Sequence, residues 1–348
     1  MKFDYIAIVV GYGSIGKKHA RIIHKLVSDV IIIDESEEMR NQAMNDYPHS
    51  AVLVNLEELK KNPTLKWDRT CAIIATWGPS HSTIFNWLAD HGVKKILCEK
   101  PMAASVNKAH QMKERARCDG IALTVTHYIR YSNFSKAVDN FCNDHDLGEP
   151  ELVIIRGGAA CIATNGIHWI DLIIQIFGAE PNYVYSTAID DKINPRSESL
   201  GFYGGSSVWS FPDGREAVIA FTNKSSIAAY CTIYYKNAII EFGDDLSVNI
   251  YHRDRDSITK FPKITRTGHA NELIYNGRLD GVLDFFGSLR NAHIDLLSND
   301  NQFLCDASIG VTSVSAIIGA LISGDLRSPI QLPINPESER GLKEYPIS

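Results

Sequence analysis

Tyr5-Ile6-Ala7-Ile8-Val9-Val10-Gly11-Tyr12-Gly13-Ser14-Ile15-Gly16 is an apolar, β-branched run that ends in a GxGxxG turn, and the residues after it carry a helical pattern. In that strand–turn–helix context each glycine has a physical reason: Gly11 permits the tight turn, Gly13 lets a pyrophosphate approach the backbone, and Gly16 allows close helix packing. The backbone of Tyr12, Ser14 and Ile15 lies at the helix start, where unpaired amides favour an anion. A glycine turn can also be a plain connection, and the next strand decides between the two. Val30-Ile31-Ile32-Ile33 ends in Asp34, at about the ~20-residue spacing of a carboxylate that accepts from a ribose hydroxyl. Glu35, Glu37 and Glu38 follow, with no Arg immediately after the acidic position, so a 2′-phosphate would meet like charge. NAD is therefore expected in preference to NADP, although Glu37 and Glu38 also suit an ordinary helix start.

Working outward, the first third alternates strands and helices as a doubly wound parallel sheet requires. Strands are expected at Tyr5 to Val10, Val30 to Ile33, Ala51 to Val54, Cys71 to Thr76, Lys95 to Cys98 and Ile121 to Thr126, with helices near 15–27, 36–46, 80–91 and 105–118. After residue 126 the texture changes. A helix near Ser132 to Asp144 leads to the turn Leu147-Gly148-Glu149-Pro150, and strands then dominate through Phe242. The expected organisation is an α/β Rossmann domain over residues 1–126, followed by an α+β domain over 127–348 with a large open, mostly antiparallel sheet.

The 348 residues suit about two domains. Residues 1–126 hold 17 basic and 14 acidic side chains and the remainder 18 and 27, so the acidity belongs to the second part. The formal charge of −6 argues against a broad nucleic-acid surface and leaves local anion sites open. The seven cysteines are odd in number and form no CxxC pair, which fits reduced thiols in a cytoplasm. No apolar run is seen to approach the ~18 residues of a membrane span, and the N-terminus enters a strand pattern without a signal-peptide cleavage region. The reading is a cytoplasmic protein acting on small molecules, without membrane or nucleic acid.

Two further turns stand at the carboxyl ends of expected parallel strands, where open α/β sheets bind ligands. Ala75-Thr76-Trp77-Gly78-Pro79-Ser80-His81 follows one, and Cys98-Glu99-Lys100-Pro101 closes the other. A lone Lys at a strand end is commonly a solvated residue, yet here it can also donate to a substrate oxygen. These two runs, the glycine turn, Arg130 in Tyr128-Ile129-Arg130-Tyr131, the Leu147 to Pro150 turn and Gly166-Ile167-His168-Trp169-Ile170-Asp171-Leu172 occur in the order seen in the Gfo/Idh/MocA oxidoreductases, a family the chain resembles over nearly its whole length. The resemblance implies that Lys100 contacts both cofactor and substrate, that its bond to Pro101 is cis, and that His168 is the catalytic acid/base. Thr76, Trp77, His81, Glu99 and Pro101 would lie on the cofactor side. His127, Tyr128, Arg130, Thr164 and Asn165 would join Lys100 and His168 around a polyhydroxylated substrate.

One departure matters: Thr164 stands four residues before His168 where relatives commonly carry Asp, and Thr cannot supply the charge that would raise the His pKa. Asp171 reads as structural, and His168 with Asp171 lacks the further ligands of a metal site. The expected reaction is reversible hydride transfer between NAD and a secondary alcohol or ketone of a sugar, cyclitol or nucleotide sugar, with surface-carbohydrate biosynthesis as a refinement. No Tyr is followed four positions later by Lys, as short-chain dehydrogenases require. The competing reading is a non-catalytic NAD-binding sensor on the same scaffold. Aromatic and β-branched residues on both faces of Ala228 to Tyr235 suggest a sheet face without helical cover, so a homodimer or homotetramer is expected.

Overall fold

A computed structural model describes residues 2–61, 65–145, 147–191, 193, 194, 197–243, 247–261, 263, 268, 270–278, 284–298 and 303–347. Along the chain the first elements are β1 (Phe3–Val10), α1 (Ser14–Ile23), β2 (Val27–Ile33), α2 (Glu37–Asp46), β3 (Ala51–Leu53), β4 (Thr70–Ile74), α3 (Gly78–Asp90), β5 (Lys95–Cys98), α4 (Val106–Asp119) and β6 (Ala122–Val125). Then come α5 (Phe134–Asp144), β7 (Pro150–Gly158), α6 (Gly166–Phe177), β8 (Tyr183–Ser186), β9 (Ile189–Asp190), β10 (Tyr203–Ser210), β11 (Glu216–Thr222), β12 (Tyr230–Tyr235), β13 (Ala238–Phe242), β14 (Ser247–Arg253), α7 (Arg255–Lys260) and β15 (Asn271–Arg278). The chain closes with α8 (Phe285–Leu297), α9 (Ala307–Leu326), β16 (Ile330–Gln331) and α10 (Glu339–Leu342).

Two units emerge. The first comprises Met1–Tyr131, Phe285–Val314 and Asn335–Ser348, and the second Ser132–Asp284 and Ser315–Ile334. This differs from the expected single cut after residue 126. Residues from the C-terminal part return to the first unit because α8 buries Leu289, Ala292, Leu296 and Leu297 beside α1, β5 and β6. Lys95 secures the far end of α8, its Nζ donating to the carbonyls of Leu296 and Ser298 at 2.8 and 2.7 Å, where a cation meets the helix's negative pole.

The sheet of the first unit has the order β3-β2-β1-β4-β5-β6, parallel throughout, as expected of a doubly wound fold. Every residue of β4 is buried, so both faces of this strand are covered. α1 stops four residues short of the helix expected over 15–27, because Val27 already pairs with Phe3 at the start of β2.

The second unit is built on a ten-stranded sheet with the path β15-β14-β13-β12-β7-β11-β10-β8-β16, β9 pairing with β10. Among the described residues only β7 and β11 of this sheet pair in parallel. β7 and β11 alternate, Val153 and Ile155, Ala217 and Ile219 being buried while Ile154 and Val218 between them are less so, and Ile233 on β12 and Ile240 on β13 are buried as well. The buried face receives α6 on β7 and β11, the Phe134 ring of α5 lies 5.0 Å from Phe242, and Trp209 donates from Nε1 to the carbonyl of Ala316 in α9. On the opposite face Tyr183, Tyr185, Tyr230 and Leu273 remain 40–54 % exposed.

α9 corrects the expectation that no apolar run reaches membrane-span length. Over an 18-residue stretch of this 20-residue helix the mean hydropathy is 1.7, long and apolar enough to span, but 78 % of that stretch is buried within the protein. It is a core helix, and its small residues blur an apolar run read by eye.

Candidate functional site

The carboxyl ends of the parallel strands form a continuous ledge because hydrogen bonds carry the ladder past them. Gly11 N donates to Ile33 O, Ala75 N to Val10 O, Glu99 N to Ile74 O and Thr126 N to Cys98 O, all at 2.8–2.9 Å. The glycine turn, Asp34, Thr76 and the Glu99-Lys100-Pro101 turn are thereby set on neighbouring strands.

At the glycine turn, Gly11 has φ +93°, and a Cβ there would stand 2.8 Å from the Ala75 carbonyl oxygen. A Cβ on Gly16 would collide with the carbonyl of Gly11, so the close packing expected of Gly16 is against the turn itself. Gly13 is different. A Cβ added there meets nothing within 4 Å, and Gly13 caps α1 without a side-chain hydrogen bond. Bare backbone at an open helix start is what a pyrophosphate requires. Ser14 is exposed and Ile15 half-buried beside it. Tyr12 contributes only its backbone to this surface: its side chain is buried and donates from Oη to Asp46 at 2.8 Å.

Asp34 is fixed through both carboxylate oxygens, Oδ2 accepting from Tyr12 N at 2.6 Å and Oδ1 from Ser36 N at 2.8 Å. Each oxygen keeps a second lone-pair direction for a ribose hydroxyl. Arg40, on α2, folds its Nη1 back onto the carbonyls of Asp34 and Glu35 at 3.0 and 2.8 Å. Sequence reasoning found no Arg directly after Asp34; one helical turn of α2 brings this one alongside, a signal that helix periodicity contains and adjacency does not.

Trp77 is 43 % exposed at the start of α3, and Thr76 accepts at Oγ1 from Ser80. His81 is fully buried, and its Nδ1 donates to the Pro101 carbonyl at 2.9 Å. This hydrogen bond ties α3 to the Lys100 turn. Burial, opposed by its backbone hydrogen bonds, lowers its pKa. Glu99, expected beside the cofactor, is likewise 6 % exposed and bound to His19 Nε2 at 2.9 Å. Lys100 is half-buried, and its bond to Pro101 is cis, as the resemblance implied. The C-terminal tail braces this turn: Tyr345 N donates to Ala104 O at 2.9 Å, and the Ile347 carbonyl lies 2.6 Å from where a Gly78 Cβ would be.

His127 is buried, with Nε2 3.0 Å from Ser313 Oγ. The Tyr128 ring stands edge-on to Phe285 at 5.2 Å, and burial raises its pKa. Arg130 is half-buried in the turn that follows, its N donating to His127 O.

Thr164, Asn165 and His168 belong to the second unit. Asn165 Oδ1 accepts from Cys161 N at 3.0 Å while Asn165 N and Gly166 N both donate to Cys161 O, so the expected substrate amide closes its own loop with its carbonyl oxygen. Thr164 is half-buried, and His168 lies half-buried in the first turn of α6. Asp171 is buried and accepts from Gln175 Nε2 at 3.2 Å, consistent with a structural role.

Comparison with known proteins matches residues 6–127 to GFO_IDH_MocA, an oxidoreductase family with an NAD-binding Rossmann fold. The inositol 2-dehydrogenase of Agrobacterium fabrum (strain C58) is 31% identical over 141 residues, 38% of this chain and 40% of that protein. The chain thus spans about two fifths of the length of the curated inositol 2-dehydrogenases it matches. An Agrobacterium radiobacter oxidoreductase, solved with NAD+, L-tartaric acid and magnesium, superposes with a TM-score of 0.73 at 14% identity, covering 94% of this chain and 98% of that one. UDP-N-acetylglucosamine 3-dehydrogenase from Acidithiobacillus ferrooxidans gives 0.69 at 16%, covering 93% and 98%. At those identities the likeness to solved structures is one of fold.

Proposed function

We propose, from the match of residues 6–127 to the NAD-binding Rossmann domain of the Gfo/Idh/MocA oxidoreductases, that the chain oxidises a secondary alcohol, or reduces the matching ketone, on a sugar, cyclitol or nucleotide sugar. The observation that carries this reading is the open backbone at Gly13 on the same ledge as the anchored Asp34 carboxylate and the Lys100 turn. Gly11 to Gly16 would hold the pyrophosphate and Asp34 the adenosine ribose, with Thr76 and Trp77 along the dinucleotide. The nicotinamide, when bound, accepts or returns the hydride. Lys100 donates to the substrate oxygen and stabilises its developing negative charge. His168 takes the hydroxyl proton in oxidation and returns it in reduction. Thr164 stands where an Asp would charge-stabilise the imidazolium, and a Thr hydroxyl supplies no such charge.

The test is absorbance in the reduced-nicotinamide band with NAD against a panel of inositols, sugars and nucleotide sugars. Turnover with one member, lost in Lys100→Ala while NADH still binds, is the expected result. Full turnover of Lys100→Ala on the same substrate would overturn the assignment. Thr164 also favours a second reading, an NAD-binding sensor without turnover; silence across the panel with tight NAD binding and a captured protein partner would select it.

Association of two or four copies is part of the proposal. It is supported by the exposed side of the ten-stranded sheet, where Tyr183 and Tyr185 on β8 and Tyr230 on β12 stand in a face of alternating apolar and polar residues.

A further inference from the structure

Beneath the Lys100 turn lies a chain of buried titratable groups that the proposed chemistry does not use. His19 comes from α1, Glu99 from the end of β5 and His293 from α8, and their exposures are 0, 6 and 0 %. His19 Nε2 is 2.9 Å from Glu99 Oε1, and His19 Nδ1 is 2.9 Å from His293 Nε2. The two rings meet edge-on, 5.0 Å apart at 72°. At the other end, Glu99 Oε2 accepts from the backbone N–H of Lys100 at 3.3 Å.

We propose that His293 is a positioning residue for the Lys100 turn, acting through His19 to hold the Glu99 carboxylate ionised and aimed at the backbone of Lys100. The proposal rests on the reading of Lys100 as the group that meets cofactor and substrate.

The proton positions follow from the donor inventory. A carboxylate only accepts, so His19 Nε2 carries the hydrogen. In the tautomer with that single hydrogen His19 accepts at Nδ1, and His293 donates to it from Nε2. His293 Nδ1, which is buried without a hydrogen-bond partner, is left as a bare lone pair. The opposite tautomer would bury an N–H with no acceptor, the costlier arrangement. Burial pushes the His293 pKa well below the ordinary histidine range, which keeps this ring neutral. For Glu99, burial alone would raise the pKa, but the His19 hydrogen bond and the nearby Lys100 charge outweigh it and the net direction is down.

A structural partner for Glu99 needs one histidine. The second one fixes the tautomer of the first, as an orienting group does for a catalytic base. A polar ring at 0 % exposure is also costly compared with the leucines that surround it on α8. The consequence is a fixed negative charge one residue from Lys100, which favours a positively charged oxidised nicotinamide over the reduced one.

The experiment compares the wild-type chain with His293→Phe, His293→Gln and Glu99→Gln. Ring-nitrogen NMR of 15N-histidine-labelled protein reads the tautomers, NADH fluorescence and competition by NAD+ read the two affinities, and thermal melting reports stability. The expected wild-type spectrum shows His19 and His293 as single Nε2–H tautomers. In His293→Phe, His19 becomes a tautomer mixture and NAD+ weakens relative to NADH by about threefold, while His293→Gln, which can still donate to His19 Nδ1, restores both. Glu99→Gln should shift the same ratio further, by about tenfold. If His293→Phe lowers only the melting temperature and leaves the His19 tautomer and the affinity ratio unchanged, the residue is structural and the proposal fails. If the wild-type chain binds no NADH, the cofactor reading falls by itself, and the His19 tautomer in His293→Phe still decides whether the relay exists.

Discussion

The two sheets of this protein spend their surfaces differently. In the parallel sheet β4 is buried on both faces, so chemistry is left to the strand ends, where Gly13, Asp34 and Lys100 stand. In the ten-stranded sheet one face is packed and the other keeps Tyr183, Tyr185, Tyr230 and Leu273 in solvent, so a face as well as the loops is free to act. A doubly covered sheet concentrates function at its rim, and a singly covered one can also associate. On that division, substitutions in the first unit should change cofactor binding and charge stabilisation, and substitutions in the second should change proton transfer and assembly.

The sharpest test pairs one residue from each unit. Lys100→Ala should lower kcat by about 10²–10³, and His168→Ala by about 10²–10⁴. NADH affinity, read by fluorescence, should stay within about tenfold in the first variant and unchanged in the second. A His168 variant that loses NADH binding would break the separation of duties.

Cofactor choice comes next. Removing a hydrogen bond to a charged group costs about 1.5–3 kcal/mol, so Asp34→Ala should shift the NAD-to-NADP affinity ratio towards NADP by roughly 10- to 100-fold. Arg40 already lies against the Asp34 and Glu35 carbonyls, ready to meet a 2′-phosphate once the carboxylate is gone. The double variant Asp34→Ala/Arg40→Ala should therefore lose most of the NADP gain; titration of both nucleotides in all three proteins checks it.

The same contrast explains what could be read from residues alone. Gly11 to Gly16, Asp34 and the Lys100 turn are legible because each is a short local pattern whose physics is complete within a few residues. His19 was missed because a buried helical histidine carries no local mark, and its partner His293 lies 274 positions away. β14 and β15 went unread, since their pairing of Ser247 to Arg253 with Asn271 to Arg278 crosses an intervening helix and β15 buries no residue on either face. The hydrogen bonds of His81 to the Pro101 carbonyl and of Asn165 to Cys161 N were likewise not readable from position. The tail was invisible as a brace because only the fold brings Ile347 over Gly78.

For the second unit, a charge set into the exposed tyrosine face should weaken association. Tyr185→Glu, 44 % exposed in the single chain, is expected to raise the dissociation constant of the assembly by at least about tenfold, since a carboxylate buried at a contact is left unpaired. Sedimentation of wild type and variant measures it, and a wild-type monomer at micromolar concentration would remove the premise.

The smallest effect distinguishes the units by acid. His81 and His293, both in the first unit, have pKa values lowered from 6.5 chiefly by burial. Below 6.5 the unfolded chain therefore binds more protons than the folded one, and stability falls as pH drops, by up to about 1.4 kcal/mol per group for each pH unit. Glu99, lowered from 4.5 against its burial by His19 and Lys100, adds a loss of the same sign that begins below pH 4.5. In the second unit Cys142, Cys231 and Tyr235 are shifted upward, chiefly by burial, and Cys231 reaches about 12, so these groups stay protonated in acid. Asp213, lowered by its hydrogen bonds to Arg215, matters only below 3.8. Hydrogen exchange at pH 5.5 against pH 7.5, corrected for intrinsic rates, should show β1, β4 and α8 losing protection while β7, β11 and β12 keep theirs. His293→Phe should flatten that pH dependence in α8, whereas equal loss in both sheets would show that acid does not tell the two units apart.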